Sequence, residues 1–452
     1  MTEPYELSAF DAARLIRQRD LSPVALVESL LQRIERIEPQ VQAWVTLDRS
    51  GALATAQTLE QEVASGRTRG PLHGVPVGIK DIYYTAGLRT TGGSRIYAEF
   101  VPGYDATAVA RLREAGAIIL GKTVTTEFAT ADPGPTRNPW NLAHTPGGSS
   151  SGSAAGVAAR MMPVALGSQT GGSIQRPAAY CGVFGLKPTH GRVSGYGVFP
   201  VSWCLDHMGP LARSVTDIAL VLQVIAGHDA RDPATSRAPV PDYVQAVQRA
   251  DRPPRLGLLR QFFLERADPE LRAHTEGIAN RLAQAGAAVE EVKLPDSFRA
   301  LLAAHRVLMQ VEAAAVHAGL FRTHAELYRP RLRATIETGS LIPGTSYLQA
   351  QRIQRIVQQD MAALFEGVDF LLMPAAPGPA PRDLSTTGDP SFNSPSSFVG
   401  FPAITIPSGL NAVGLPLAIQ FMGPAWAEER LLAAARWCEG TLGVSLNPPI
   451  GA

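Results

Sequence analysis

The chain is short of the features that would assign it to several large protein classes. Its 452 residues include only three cysteines, Cys181, Cys204 and Cys438. Odd in number and widely spaced, they exclude a disulfide framework and predict reduced core thiols. Neither CxxC nor HExxH occurs, so no metal ligation is signalled and neither metal nor cofactor is expected. No uncharged apolar run approaches the roughly 18 residues of a spanning helix. The segment Met1-Thr2-Glu3-Pro4-Tyr5-Glu6 lacks the basic and apolar regions of a secretory signal. A cytoplasmic protein without a membrane partner is the expectation. Charge of one sign is lacking too. Lys plus Arg total 41 against 40 Asp plus Glu, which leaves no footprint for nucleic acid. The predicted partner is a neutral or weakly polar small molecule, bound by a monomer or homodimer.

What is present is a large supply of apolar residues and two glycine-serine segments. With 45% hydrophobic and 18% charged residues, the chain can bury a substantial core. Ser149 lies in Gly147-Gly148-Ser149-Ser150-Ser151-Gly152. Ser173 follows 24 residues later in Gln169-Thr170-Gly171-Gly172-Ser173-Ile174-Gln175-Arg176-Pro177. Upstream, Lys80 ends the apolar run Val75 to Ile79. A serine hydroxyl needs a base to become a nucleophile, and acyl transfer needs backbone N–H groups aimed at a developing oxyanion. Glycines free those groups by permitting open turns. A lysine acts as base once burial lowers its pKa toward about 7 to 8, and an apolar strand can bury it.

These three segments, in this order, resemble the amidase signature family, hydrolases with a Ser-cisSer-Lys triad. The likeness runs from about Leu72 to Arg213, with weaker wording at Gly400 to Pro407 and Gly414 to Gln420. It implies Ser173 as nucleophile, Ser149 as the cis-bonded proton shuttle and Lys80 as base. It also implies an oxyanion hole from the amides of Thr170, Gly171, Gly172 and Ser173. The expected fold is α/β, a twisted mixed sheet of about eleven strands flanked by helices on both faces. Family wording has Asp at Gln169 and Arg at Gln175, with the arginine here displaced to Arg176. That variant is similar to the malonamidase-like branch. Ser150, Gln169 and Arg176 are the candidate substrate or supporting contacts; Arg176 either meets a substrate carboxylate or braces backbone carbonyls. The resemblance implies hydrolysis of linear amides through an acyl-enzyme.

The pattern along the chain predicts one domain over 1–452, with the catalytic core at about 72–213. A helical and loop layer at about 297–400 shapes the pocket. Helices are expected from Ser8 to Asp20 and from Ser22 to Arg36, with Pro39 ending the second. Val75 to Ile79 and Ala117 to Leu120 read as buried strands flanking a helix, Asp105 to Ala115. Leu341, Ile342, Phe392, Phe398 and Phe401 suggest an apolar pocket. Broad activity on neutral aryl and alkyl amides follows, extending to carbamates (urethanes) and esters.

Other readings compete. A glutaminase-type A subunit of an aminoacyl-tRNA amidotransferase would share the triad and depend on partner chains. Gly116 to Thr123 spells GxxxxGK[ST], a nucleotide-binding pattern, but Ile118-Ile119-Leu120 belongs in a strand. Lys122 is then a strand-end residue near the cleft or a solvated charge. Gly148 to Gly152 spells GxSxG with Ser150 as nucleophile, yet that elbow must follow a strand, and here loop wording precedes it. His144, His190 and His207 read as hydrogen-bonded structural residues, and Asp206 as orienting the catalytic loop or capping a turn.

Overall fold

A computed structural model describes residues 3–451. Among them eleven strands form one sheet. In chain order these are β1 (Trp44–Leu47), β2 (Pro76–Lys80), β3 (Ile118–Thr123), β4 (Val164–Gln169), β5 (Phe184–Lys187), β6 (His207–Ala212), β7 (Arg255–Leu258), β8 (Ala288–Glu291), β9 (Phe370–Pro374), β10 (Ala403–Leu410) and β11 (Pro416–Met422). Across the sheet the order is β1-β3-β2-β4-β6-β5-β10-β11-β9-β7-β8. β2 pairs parallel with β3 and β4, while β4 to β6 and β10 to β11 are antiparallel. The sheet is mixed, as expected.

Strand alternation explains why both faces are covered. Successive side chains point to opposite faces. Ile118 and Leu120 pack with Ile16, Leu26 and Leu30 of the first helices, whereas Ile119 joins Val77, Ile79 and Leu166 in a second cluster. Ser8 caps the helix Ala9–Gln18, accepting from the Asp11 N–H at 2.9 Å. The second helix, Pro23–Val41, runs two residues past Pro39 instead of stopping there. Proline cannot donate to the preceding turn, but so near the end it forfeits one bond. The terminus is secured instead by the Glu38 carboxylate, which accepts from the N–H groups of Ala43 and Trp44 at 2.9 Å each.

The segment Gly116 to Thr123 is strand rather than phosphate loop, since all of Ile118–Thr123 is buried in β3. Lys122 is neither solvated nor at the cleft. It is fully buried, donating to Tyr83 O, to Thr90 Oγ1 at 2.8 Å and to Thr85 Oγ1 at 3.1 Å. Gly121 is required for a different reason than an anion. Its φ is 154°, and a Cβ there would sit 2.1 Å from the Thr46 carbonyl oxygen of β1. Gly121→Ala should therefore part β1 from β3 and destabilise the protein by about 1–3 kcal/mol. Urea unfolding checks this; an unchanged midpoint would refute the close approach.

Candidate active site

Three neighbouring elements bring the chemistry together. Lys80, the last residue of β2, is fully buried, and its Nζ lies 2.7 Å from Ser149 Oγ and 2.8 Å from Ser168 Oγ. A longer contact of 3.4 Å reaches the Ser168 carbonyl. Ser149 sits in the loop between β3 and the helix Ser151–Ala158, and the Gly148–Ser149 peptide is cis, as the resemblance implied. Burial holds the Lys80 pKa well below the ordinary lysine value, against the opposing pull of the Asp206 carboxylate. Asp206 is itself pushed up to about 6 by burial, although it accepts from Thr170 Oγ1 and the amides of Val201 and Ser202.

Ser173 follows β4 and lines a cavity of about 220 Å³. Its hydroxyl makes no hydrogen bond to the described chain, so it is not joined to Ser149 here. The main-chain N–H groups of Thr170, Gly171, Gly172 and Ser173 donate to no protein acceptor either, and all four residues line that cavity. Free donors converging on one space are what an oxyanion requires. The loop is shaped from below by Gln169. Its Oε1 accepts from Ile174 and Gln175 N–H at 2.9 and 3.0 Å, and its Nε2 donates to Gln175 Oε1 at 2.8 Å and Ser397 Oγ at 3.1 Å. Gln175 in turn donates to Gln420 Oε1 at 2.6 Å.

Of the other predicted contacts, Ser150 is buried outside the cavity. Its hydroxyl donates to Ser168 O and accepts from Ser168 N–H, which removes the GxSxG reading. Arg176 touches the cavity but braces carbonyls. It donates to Gly148 O at 2.7 Å, Gly388 O at 3.0 Å and Thr387 Oγ1 at 3.0 Å. His144 bonds Ala380 O and His207 bonds Leu205 O, both structural. Four residues escaped the motif reading. Ser168 was visible as a polar residue ending an apolar strand. Tyr83, His305, which donates to Thr170 O at 3.0 Å, and Arg331, a cavity wall, carried no motif. A larger cavity of about 430 Å³, walled by His190, Tyr196 and Trp203, contains none of Lys80, Ser149 and Ser173. Among the described residues no cluster of three metal-ligating side chains occurs, and no helix is long and apolar enough to cross a membrane.

The amidase family model matches residues 25–432. The chain belongs to the amidase family. The match extends far beyond the motif-bearing segment, from Leu72 to Arg213, that carried the resemblance. The A subunit of the glutamyl-tRNA(Gln) amidotransferase of Geobacter sp. (strain M21) is 40% identical over 96% of each chain. Native peptide amidase from Stenotrophomonas maltophilia superposes with a TM-score of 0.88 at 33% identity, covering 99% of each chain. A chain from a vestigial protein complex, studied for the origins of an s-triazine catabolic enzyme, gives 0.91 at 31% identity, covering 97% of this chain and 99% of that one.

Two expectations fall. Broad hydrolysis of neutral amides, carbamates and esters is overturned by curated relatives of 37–40% identity that carry the amidotransferase name. The apolar pocket behind it also fails. Phe392, Phe398 and Phe401 are buried in a core cluster, Leu341 is 83% exposed, and neither these nor Ile342 lines the cavity with Ser173. The second is the small-molecule partner without nucleic acid on a self-sufficient monomer or homodimer. The relatives are named as subunits of an enzyme of glutamyl-tRNA(Gln). Net charge sums over the whole chain, and so is silent on what partner chains contribute.

Removing the Arg176 fork strands three buried acceptors in this amidase. Arg176→Met should cost about 3 kcal/mol, read as a lower urea midpoint at unchanged slope. A loss below about 0.5 kcal/mol would mean the guanidinium is free for a ligand.

Proposed function

We propose that this amidase is a glutaminase-type A subunit of an aminoacyl-tRNA amidotransferase, releasing ammonia from a side-chain carboxamide for use by partner chains. The observation that carries the reading is the full-length relationship to enzymes of that name, at 40% identity over 96% of the chain. The cavity supports it. Arg331 is exposed on the wall shared with Ser173 and pairs with no carboxylate among the described residues. Asp132 accepts from the backbone N–H groups of Arg331 and Leu332 and not from the guanidinium, whose Nη1 makes a 3.4 Å contact to Ala131 O. An unpaired guanidinium in an amidase cleft suits a donor bearing a carboxylate, as glutamine does.

In the proposed reaction Lys80 is neutral. With two N–H bonds directed at Ser168 Oγ and O, its lone pair faces Ser149. Lys80 takes the Ser149 proton while Ser149 takes that of Ser173, whose bond to Ser149 closes once substrate is seated. Ser173 Oγ attacks the carboxamide carbon, and the oxyanion meets the N–H groups of residues 170–173. The C–N bond breaks as Ser149 returns a proton to nitrogen, releasing ammonia and leaving an ester on Ser173. Water, deprotonated through the same relay, frees the acid.

Ammonia release from glutamine, measured for the purified chain and again with the partner chains of an aminoacyl-tRNA amidotransferase added, tests the reading. Ser173→Ala should lower kcat by a factor on the order of 10⁵. Arg331→Ala should raise KM for glutamine by about tenfold or more at similar kcat, since a charge-assisted contact is lost equally from ground and transition states. Faster turnover of neutral aryl amides than of glutamine, indifferent to Arg331→Ala, would refute it.

The pH profile has a definite sign. A base works only when neutral, and burial depresses the Lys80 pKa from 10.5. The kcat/KM should thus be full above the depressed value, well under 10.5, and fall as pH drops through it. A profile flat down to the carboxylate range would exclude Lys80 as base.

A further inference from the structure

Beside the active lysine lies a second buried lysine that the reaction does not use. Lys122 sits in β3, directly next to β2, with Ile79 opposite it in the register. Its Nζ grips the Tyr83 carbonyl and the hydroxyls of Thr85 and Thr90. Asp81 Oδ1 stands 3.8 Å away and has no hydrogen bond, while Asp81 Oδ2 accepts from Thr91 N–H and Oγ1–H. All these groups lie in the turn that immediately follows Lys80.

Tyr83 connects that turn back to the lysine on two sides. Its N–H donates to Lys80 O at 3.1 Å, and its phenol donates to Gly167 O at 2.6 Å. The next residue is Ser168, whose two oxygens take Lys80 Nζ. The links close a ring: Lys122, Tyr83, Gly167–Ser168 and Lys80, spanning the adjacent strands β3, β2 and β4. Tyr83 is fully buried, so both of its bonds are made away from bulk solvent.

We propose that Lys122 and Tyr83 are positioning residues for the amidase reaction, clamping Ser168 against Lys80 so that the amine's free position faces Ser149. The proposal rests on Lys80 being the base. It absorbs the GxxxxGK[ST] segment without a nucleotide, since the lysine of that pattern anchors a turn instead of a phosphate. Tyr83→Phe takes the phenol bond from Gly167 O, and loss of Lys122 leaves the Tyr83 carbonyl with only the longer 3.2 Å bond from Thr85 Oγ1; an acceptor stripped of its stronger donor in the interior admits water. Water beside Lys80 stabilises its ammonium. The charged and titratable groups around the amine are Asp206, which already favours the charged form, and beyond it Asp81 and Lys122.

The test uses the full chain and reads nucleophile activation directly, so it does not depend on the identity of the amide. Phenylmethylsulfonyl fluoride is the probe, and the rate of Ser173 adduct formation is followed by intact mass across pH. Tyr83→Phe removes one hydroxyl, Lys122→Met removes the ammonium at similar volume, and Lys80→Ala is the control. Both clamp variants should slow modification by about tenfold or more, with the acid limb moved to higher pH. Wild-type rates in both variants, with Lys80→Ala inert, would overturn the clamp and leave the triad standing. A uniform slowing with the limb in place would mark a merely structural role and also overturn it. An unaffected Lys80→Ala would remove the base assignment, and the clamp with it. If Lys122→Met does not fold, Tyr83→Phe alone decides.

Discussion

Burial of the Lys80 amine is the constraint on which the rest of the site depends. A lysine in water is protonated and useless as a base; desolvation is what makes the neutral form accessible. Lys80 is given no acid partner in contact, only the more distant Asp206, whose own charge is weakened by burial. Lys122, one strand away and as deeply buried, shows the alternative. With Asp81 3.8 Å distant its pKa falls only to about 8, and it holds a turn. Two lysines on adjacent strands are thus both depressed by burial, and the one with a carboxylate close by is depressed less. Coulomb attraction offsets more of the desolvation cost for Lys122, with Asp81 close by, than for Lys80, which has only Asp206.

Supporting a neutral lysine favours neutral surroundings. The family wording places a charged pair at the positions of Gln169 and Gln175. Here a run of side-chain amides, Gln169 to Gln175 to Gln420, performs the same accepting and donating beneath the Thr170–Ser173 loop. Gln169 Oε1 satisfies the two N–H groups that follow Ser173, which leaves those of residues 170–173 open. The exchange of charge for amide is therefore an internal repacking of hydrogen bonds. It carries no message about substrate, because neither Gln169 nor Gln175 reaches the cavity.

The parts of the molecule legible in the sequence are those specified by local chemistry. The apolar runs before Lys80 and at Ile118 to Leu120, the Ser8 cap, and the two glycine-serine loops each depend on neighbours within a few residues. The family resemblance supplied the rest of the fold, and the eleven strands match it. Pro39 misled because a proline in the last turn forfeits little and Glu38 caps the end from within the helix. The apolar pocket misled for another reason. Phe392, Phe398 and Phe401 fill a core between the helical layer and the sheet, and composition cannot distinguish a residue lining a cleft from one lying beneath it. Tyr83, Ser168 and His305 act through contacts 84 to 135 residues away in the chain, which no local pattern encodes.

The two arginines at the cleft show how the shared machinery and the specificity are divided. Arg176 stands three residues after Ser173, within the motif, and its fork is consumed by Gly148, Thr387 and Gly388. It thereby joins the loop carrying Ser149 to the segment 386–388, so a residue in the motif assembles the scaffold. Arg331 comes from the helix Pro330–Leu341, in an arginine-rich stretch with no motif, and its guanidinium makes no close ion pair among the described residues, the Asp383 carboxylate acting on it only at longer range. Its neighbours Thr335 and Met309 belong to the same helical layer, while Thr386, Thr387 and Pro390 belong to the long loop before the helix Ser394–Val399. One side of the cavity thus comes from segments more than 130 residues beyond Ser173 in the chain, the other from residues 129–131, the loop 170–173 and Val201. Of these, the segment 386–388 is tied through Arg176 to the loop of Ser149, whereas the side chains of Thr335 and Met309 make no hydrogen bond to Lys80, Ser149 or the loop 170–173, so the helical wall is the part that can vary without disturbing those residues.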